Sequence, residues 1–115
     1  MQAIADPARL DRMFFALADT YRRGMLDRLS RRPASASELA ESLGIALPSA
    51  VKHLAVLVEG GFVASRKSGR VRTYTAEPKA LDAMQAWVEK RKARLNAQFD
   101  QLDAYLAEHK GRATS

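Results

Sequence analysis

The sequence predicts a mainly α-helical domain with a small β-hairpin, in the order α-α-α-α-β-β-α. Two short helical patterns joined at a glycine occupy residues 37–61, an alternating stretch with a turn follows them, and a long apolar repeat begins at Pro78. A chain of 115 residues has the length of one domain with a single modest core. We therefore predict one winged helix-turn-helix domain over residues 1–110 and a disordered tail over 111–115.

The first two helices are predicted from their start signals and apolar repeats. Asp6-Pro7 is typical of a helix start, because the missing proline N–H costs nothing in the first turn. The apolar positions that follow recur at helical spacing: Leu10, Met13, Phe14 and Leu17. A second helix, capped by Asp19 or Thr20, is predicted to run to about Arg31, with residues 31–35 as a loop. We interpret both helices as scaffold.

A helix-turn-helix motif is predicted over residues 36–60. Ser35 and Glu38 have the spacing of a capping box, and Gly44 can adopt the positive φ that follows a helix end. Pro48 suits the first turn of the second helix, over residues 48–59. Four apolar residues of that helix are predicted to face the core: Val51, Leu54, Ala55 and Val58.

The opposite face of the second helix carries small, cationic or hydrogen-bonding residues: Ser49, Ala50, Lys52 and His53. Such a helix can approach a phosphate backbone and place side chains on base edges in a major groove. We predict that Ser49, Ala50 and His53 contact bases and that Lys52 contacts phosphate. The alternatives are a solvated face and, for His53, a ring turned inward to bond a backbone carbonyl.

A two-stranded hairpin, the wing, is predicted over residues 62–75. Its tip, 66–72, contributes four predicted DNA-binding cations: Arg66, Lys67, Arg70 and Arg72. Residues 48–75 hold five Lys/Arg against Glu59 alone, which is +4 of the chain's +6. A cationic patch beside a presented helix indicates a nucleic-acid binder. The alternative is that the cations only protect an edge hairpin from aggregation.

A long terminal helix is predicted over residues 78–109. Its apolar stripe is longer than a domain of this size can cover, so we predict a homodimer formed through the terminal helices. The predicted dimerisation residues are Leu10, Phe14, Leu95, Phe99, Leu102 and Leu106.

The composition of the chain argues against several classes of function. The chain has no cysteine and two histidines, which excludes disulfides and thiolate metal sites. No convergent set of nucleophile and base indicates an enzyme. No apolar run approaches 18 residues and the N-terminus is not a secretory signal, so we expect a cytoplasmic protein without membrane contact. The alternative function is a winged-helix module that binds another protein without DNA, although that role does not require the charge excess.

Taken together, the segments resemble the ArsR (arsenical-resistance repressor) family of bacterial winged-helix regulators over residues 10–108. The matching stretches are LADTYRRGMLDRL at 17–29, SELAESLG at 37–44, LPSAVKHLAVLVEGGFV at 47–63 and GRVRTY at 69–74. The resemblance implies a homodimeric repressor that binds a palindromic operator in double-stranded DNA and is released by a signal. Ala46 departs from the pattern, in which a serine usually caps the recognition helix.

The resemblance is to the metal-independent branch of that family. Ser35 and Ser37 stand at the positions that carry cysteines in the family's metal sensors, and neutral hydroxyls do not hold soft ions. We therefore expect no metal and no cofactor. The signal that remains is an organic effector of unknown identity, a partner protein, or none beyond the protein's abundance.

Overall fold

The structure is a computed structural model of the chain. It describes the backbone of residues 6–114 and the side chains of residues 6–110. The chain forms two compact units, one ending at Ala83 and the other beginning at Met84.

Five helices and three strands follow one another over the described residues. Their bounds are α1 Pro7–Leu17, α2 Thr20–Leu29, β1 Ala34–Ser35, α3 Ala36–Leu43, α4 Leu47–Glu59, β2 Val63–Ser68, β3 Val71–Ala76 and α5 Pro78–Thr114. The predicted mainly helical winged helix-turn-helix fold is confirmed. The strand β1 is an addition, because residues 31–35 were expected to form only a loop.

The short strand β1 turns the predicted hairpin into a three-stranded antiparallel sheet of order β1-β3-β2. Ala34 pairs with Tyr74 and Ser35 pairs with Thr73. A strand of two residues carries no detectable alternation, so sequence periodicity could not predict it. Its effect is to hold the base of the wing against the start of the helix-turn-helix.

The predicted boundaries of the helix-turn-helix follow from local chemistry. The Glu38 N–H donates to Ser35 Oγ (3.2 Å) and the Ser35 N–H donates to Glu38 Oε1 (3.0 Å), which is the predicted capping box. Gly44 ends α3 with a φ of 67°. Ala46 begins α4 without a side-chain cap, so this helix starts with only the proline in its first turn.

The core of the first unit lies between the four short helices and the sheet. Its largest fully buried side chains are Phe62, Met13, Met25, Leu39, Leu54 and Leu57. At the end of α4, a Cβ on Gly60 would stand 2.9 Å from Ala16 Cβ, so only glycine allows α1 to approach this closely.

The predicted core-facing stripe of α4 was wrong at three of its four positions: Leu54 is buried as predicted, but Val51, Ala55 and Val58 are exposed. The buried residues of α4 are Ala50, Leu54 and Leu57, whereas Val51 is 46% and Val58 39% exposed. Because this helix is apolar on almost every side, helical periodicity fits both faces equally well. The tertiary packing selects the face that carries Leu57.

The last helix is longer than predicted. It continues through residues 111–114, which were expected to be a disordered tail, and Ser115 lies outside the described residues. Arg91 folds back along it, with its guanidinium carbon 4.1 Å from the centre of the Trp87 ring. The apolar residues predicted for dimerisation on α5 are all about half exposed or more: Leu95, Phe99, Leu102 and Leu106.

Within the described residues, no single helix is both long enough and apolar enough to cross a membrane. Helices α3 and α4 reach the necessary length and composition only when taken together, across a bend of 111°.

Candidate nucleic-acid interface

The first half of α4 and the hairpin β2–β3 present the predicted cations to solvent. Lys52, Arg66, Lys67, Arg70 and Arg72 are all exposed. Among the residues whose side chains are described, none of these five forms an ion pair. Positive charge is therefore available on this surface for an anionic partner.

The hairpin places like charges opposite one another. Lys67 pairs directly with Arg72 across β2 and β3, so both side chains project from the same face of the sheet. Gly69 forms the tip with a φ of 63°, and Arg70 follows it. Arg72 Nη1 donates to Ser65 Oγ (2.9 Å), which holds that guanidinium over the hairpin. An anion above this face would remove the repulsion between the facing cations.

The prediction that Ala50 contacts a base is wrong. Its exposed fraction is zero, because α4 directs this residue into the core together with Leu54 and Leu57. Ser49, by contrast, is exposed as expected. The rotation that buries Ala50 is the same one that exposes Val51.

His53 takes the inward alternative, with a different partner from the one expected. Its Nδ1 atom lies 3.2 Å from Arg22 Nη1 and 3.9 Å from Asp19 Oδ1, and its ring centre lies 5.9 Å from that of Tyr21. Only 22% of its side chain is exposed. The ring therefore bonds a side chain of α2 rather than a backbone carbonyl, and most of it is withdrawn from solvent.

Asp19 completes this cluster at the start of α2. Its Oδ1 accepts the Arg22 N–H (3.1 Å) as the helix N-cap. Burial raises the pKa of Asp19, but that hydrogen bond and the nearby charges of His53 and Arg22 lower it, so the pKa is held below its ordinary value of 3.8. The carboxylate therefore remains ionised in the folded protein at neutral pH.

Sequence reasoning missed four exposed apolar residues of α4: Leu47, Val51, Ala55 and Val58. Three of them were assigned to the core, and Leu47 lay just before the predicted start of the helix. The spacing of Ala50, Leu54 and Leu57 offered an alternative core face that would have left them outside.

Comparison with known proteins shows which protein family is similar to this chain. A helix-turn-helix domain model matches residues 17–66. The HTH-type transcriptional regulator Rv2034 of Mycobacterium tuberculosis is 38% identical over 74 residues, which cover 64% of this chain and 69% of that protein. A probable mercury resistance operon repressor of Streptomyces lividans is 34% identical over 77 residues, covering 66% of this chain and 62% of that protein.

Among solved structures, the crystal structure of an ArsR family transcriptional regulator is 41% identical. The superposition has a TM-score of 0.75 and includes 83% of this chain and 97% of the other chain. The chain belongs to the ArsR family. As an ArsR-family protein it is a DNA-binding transcriptional regulator, and its family is one of regulators rather than enzymes.

Ser35, which the resemblance places at a cysteine position of the family's metal sensors, is hydrogen-bonded within the protein. Ser35 Oγ is engaged as the N-cap of α3, and the hydrogen bond from the Ser35 N–H lowers the pKa of Glu38. Within residues 6–110, no group of three or more His, Asp or Glu side chains is arranged to hold a metal ion. The expectation of a metal-independent regulator stays a prediction.

Proposed function

We propose that the chain is a homodimeric repressor that binds a palindromic operator. The first half of the recognition helix α4 enters the major groove, and the wing, residues 66–72, lies along the phosphate backbone. The single observation that carries this proposal is the exposed cationic surface formed by Lys52 and the wing beside the start of α4.

In this mode, the wing holds DNA without reading it. Cations bound to phosphates release counterions whatever the base sequence, so they supply affinity rather than specificity. The facing pair Lys67 and Arg72 suits this role, since a phosphate stabilises two cations that otherwise repel each other.

Dimerisation is proposed through the apolar stripe of α5. Leu95, Phe99, Leu102 and Leu106 are separated by four, three and four residues, which is the spacing of a coiled-coil seam. These side chains are between 49% and 62% exposed in the single chain, and a second copy would cover them. Leu10 and Phe14 of α1 are proposed to contribute, with Leu10 half-buried and Phe14 42% exposed. A two-fold dimer requires a site with matching two-fold symmetry, hence a palindromic operator.

Repression and its release are proposed from relatives and from composition. The relative from Streptomyces lividans is a probable mercury resistance operon repressor. This chain has no cysteine, so a soft metal held by thiolates cannot be its signal. The remaining choices are an organic effector, a partner protein, or control by abundance. A regulator of this class would act in the cytoplasm, where the DNA is.

Binding to duplex DNA at two salt concentrations tests the proposal. The full chain should bind a specific duplex with an affinity that falls by at least about 1,000-fold between roughly 50 and 200 mM salt, because about six or more phosphate contacts per dimer are expected. A scrambled duplex serves as the control for specificity. Salt-independent binding, or none to any duplex, would instead favour the protein-interaction module.

A further inference from the structure

The recognition helix exposes a strip of apolar side chains, defined here as Leu47, Val51 and Ala55. These residues are four apart, so they lie above one another on one face of the helix. Leu47 and Val51 are each 46% exposed, and Ala55 is exposed as well. Because they lie on the part of the protein that faces DNA in the proposed function, their chemistry bears on what is read.

Val51 lies at the centre of this apolar strip. It lines two neighbouring grooves between α4 and the hairpin, with volumes of about 450 and 320 Å³. Leu47 lines the first groove and Ala55 the second, while Arg72 borders both. The apolar strip is therefore enclosed on one side by the cationic hairpin.

The charges around the apolar strip specify the kind of partner that fits. Lys52 adjoins Val51 on the helix, Arg70 and Arg72 border the first groove from the wing, and Arg72 also borders the second. Glu59, which lines the second groove, is the one acid among the residues that line the two grooves. A matching partner must be apolar at its centre and anionic at its edges. A duplex major groove has this arrangement where a thymine methyl group lies between two rows of phosphates, and that methyl is the bulkiest apolar group that the base edges present in the groove.

We propose that α4 reads the thymine 5-methyl group through its apolar strip, with Val51 as the specificity-determining residue. This inference rests on the proposed function and names the feature of the operator that the helix recognises. In this arrangement Ser49 forms the hydrogen bonds to base edges, and Lys52 contacts a phosphate.

Replacing thymine by deoxyuridine provides a test on the unmodified protein. The preferred duplex is first selected from a randomised library with the full chain, and each thymine is then replaced singly. This exchange removes only the methyl group and preserves the hydrogen bonds of the base pair. At the thymine that Val51 contacts, affinity should fall about fourfold, the ratio that corresponds to about 0.8 kcal/mol for one methyl group removed from water.

A double-mutant cycle then assigns the contact to Val51. Val51→Ala should weaken binding to the thymine duplex by a similar factor and should lose no further affinity on deoxyuridine, because the partner of the methyl is already gone. Val58→Ala removes the same atoms from the same helix two turns later, where Val58 lines only the second groove, beside Glu59. This matched control should retain the full deoxyuridine effect.

The outcomes separate this inference from the proposed function. Sequence-selective binding that is indifferent to deoxyuridine at every position, or a selected site without thymine in its half-sites, would overturn methyl reading while leaving the operator-binding proposal intact. A deoxyuridine effect of equal size in Val51→Ala and in the wild type would remove Val51 from the contact. Absence of sequence-selective binding would overturn the proposed function itself. The deoxyuridine series with the wild-type protein tests methyl reading even if Val51→Ala does not fold.

Discussion

Arg22 Nη1 lies 3.2 Å from His53 Nδ1 and so joins the first turn of α2 to the middle of α4. The same guanidinium donates from Nε to Ala16 O (2.8 Å) and from Nη2 to Phe15 O (2.7 Å), at the end of α1. Because a guanidinium only donates, His53 Nδ1 is the acceptor in this hydrogen bond. One side chain, only 7% exposed, thus ties three helices together behind the recognition helix.

Replacing Arg22 should destabilise the fold. Arg22→Ala leaves the Ala16 and Phe15 carbonyls without their donor, and we expect a loss of about 2–4 kcal/mol in the free energy of unfolding by urea. The matched control is Arg23→Ala, since Arg23 also donates to a carbonyl of α1, Leu17 O, but from an exposed position. Arg23→Ala should lower the free energy of unfolding by less than about 0.5 kcal/mol. Equal losses in the two variants would contradict the role assigned to the buried guanidinium.

Asp19 should make stability depend on acidity. Its folded-state pKa lies below its ordinary value of 3.8, so its stabilising contribution is complete above that value and is lost as the pH falls through the folded pKa. Asp19→Asn retains a good N-cap but cannot titrate. The variant should be less stable than the wild type at about pH 6, and the difference should narrow towards about pH 3. A difference in the free energy of unfolding between the two proteins that stays constant over this pH range would show that ionisation of Asp19 does not contribute to stability.

Substitutions at two neighbouring residues of α4 should distinguish a side chain that contacts DNA from one that packs in the core. Ala50→Leu forces a large side chain into a position with no exposed surface, and we expect it to destabilise the fold by about 1–3 kcal/mol. Ser49→Ala lies on the exposed side and should leave the melting temperature unchanged while weakening binding to the preferred duplex more than to a scrambled one. The reverse pattern would restore the original assignment of Ala50 to the interface.

The wing should show opposite effects on stability and binding. Lys67→Glu converts the facing pair with Arg72 into an attractive one, so we expect a gain of about 0.2–1 kcal/mol in stability. DNA binding should weaken, and the salt slope should fall by about one unit for each phosphate that the variant no longer neutralises. Arg66→Glu is the matched control, since its partner across the strands is Thr73. Because Arg66 projects from the opposite face of the hairpin to Lys67, Arg66→Glu should bring no gain in stability and should weaken binding less than Lys67→Glu does.

The terminal helix should control the association state. Leu102→Glu places a charge in the middle of the proposed seam and should convert the dimer to monomer at micromolar concentration in sedimentation velocity. Gln101→Glu introduces the same charge at the adjacent exposed position outside the seam, and should remain dimeric. A monomeric wild type under these conditions would refute the proposed interface, whatever the variants do.

Local chemistry was sufficient to predict most of the elements. The Ser35–Glu38 capping box, the positive φ of Gly44 and the Asp6-Pro7 start each act within a few residues of the chain, so their geometry follows from neighbouring side chains. The wing turn and the long terminal helix are local in the same sense. The residue pattern of these segments also indicated the family before any fold was known.

The orientation of α4 was not determined by its own residues. Its apolar side chains surround most of the helix, so hydrophobic periodicity could not distinguish the face with Ala50 and Leu57 from the face with Val51 and Val58. The inward position of His53 likewise depends on Arg22, 31 residues away in the chain. The residue pattern alone was enough to predict a cationic recognition helix followed by a cationic wing. Which side chains that helix presents could be read only from the folded chain, because the choice depends on packing against α1, α2 and α3.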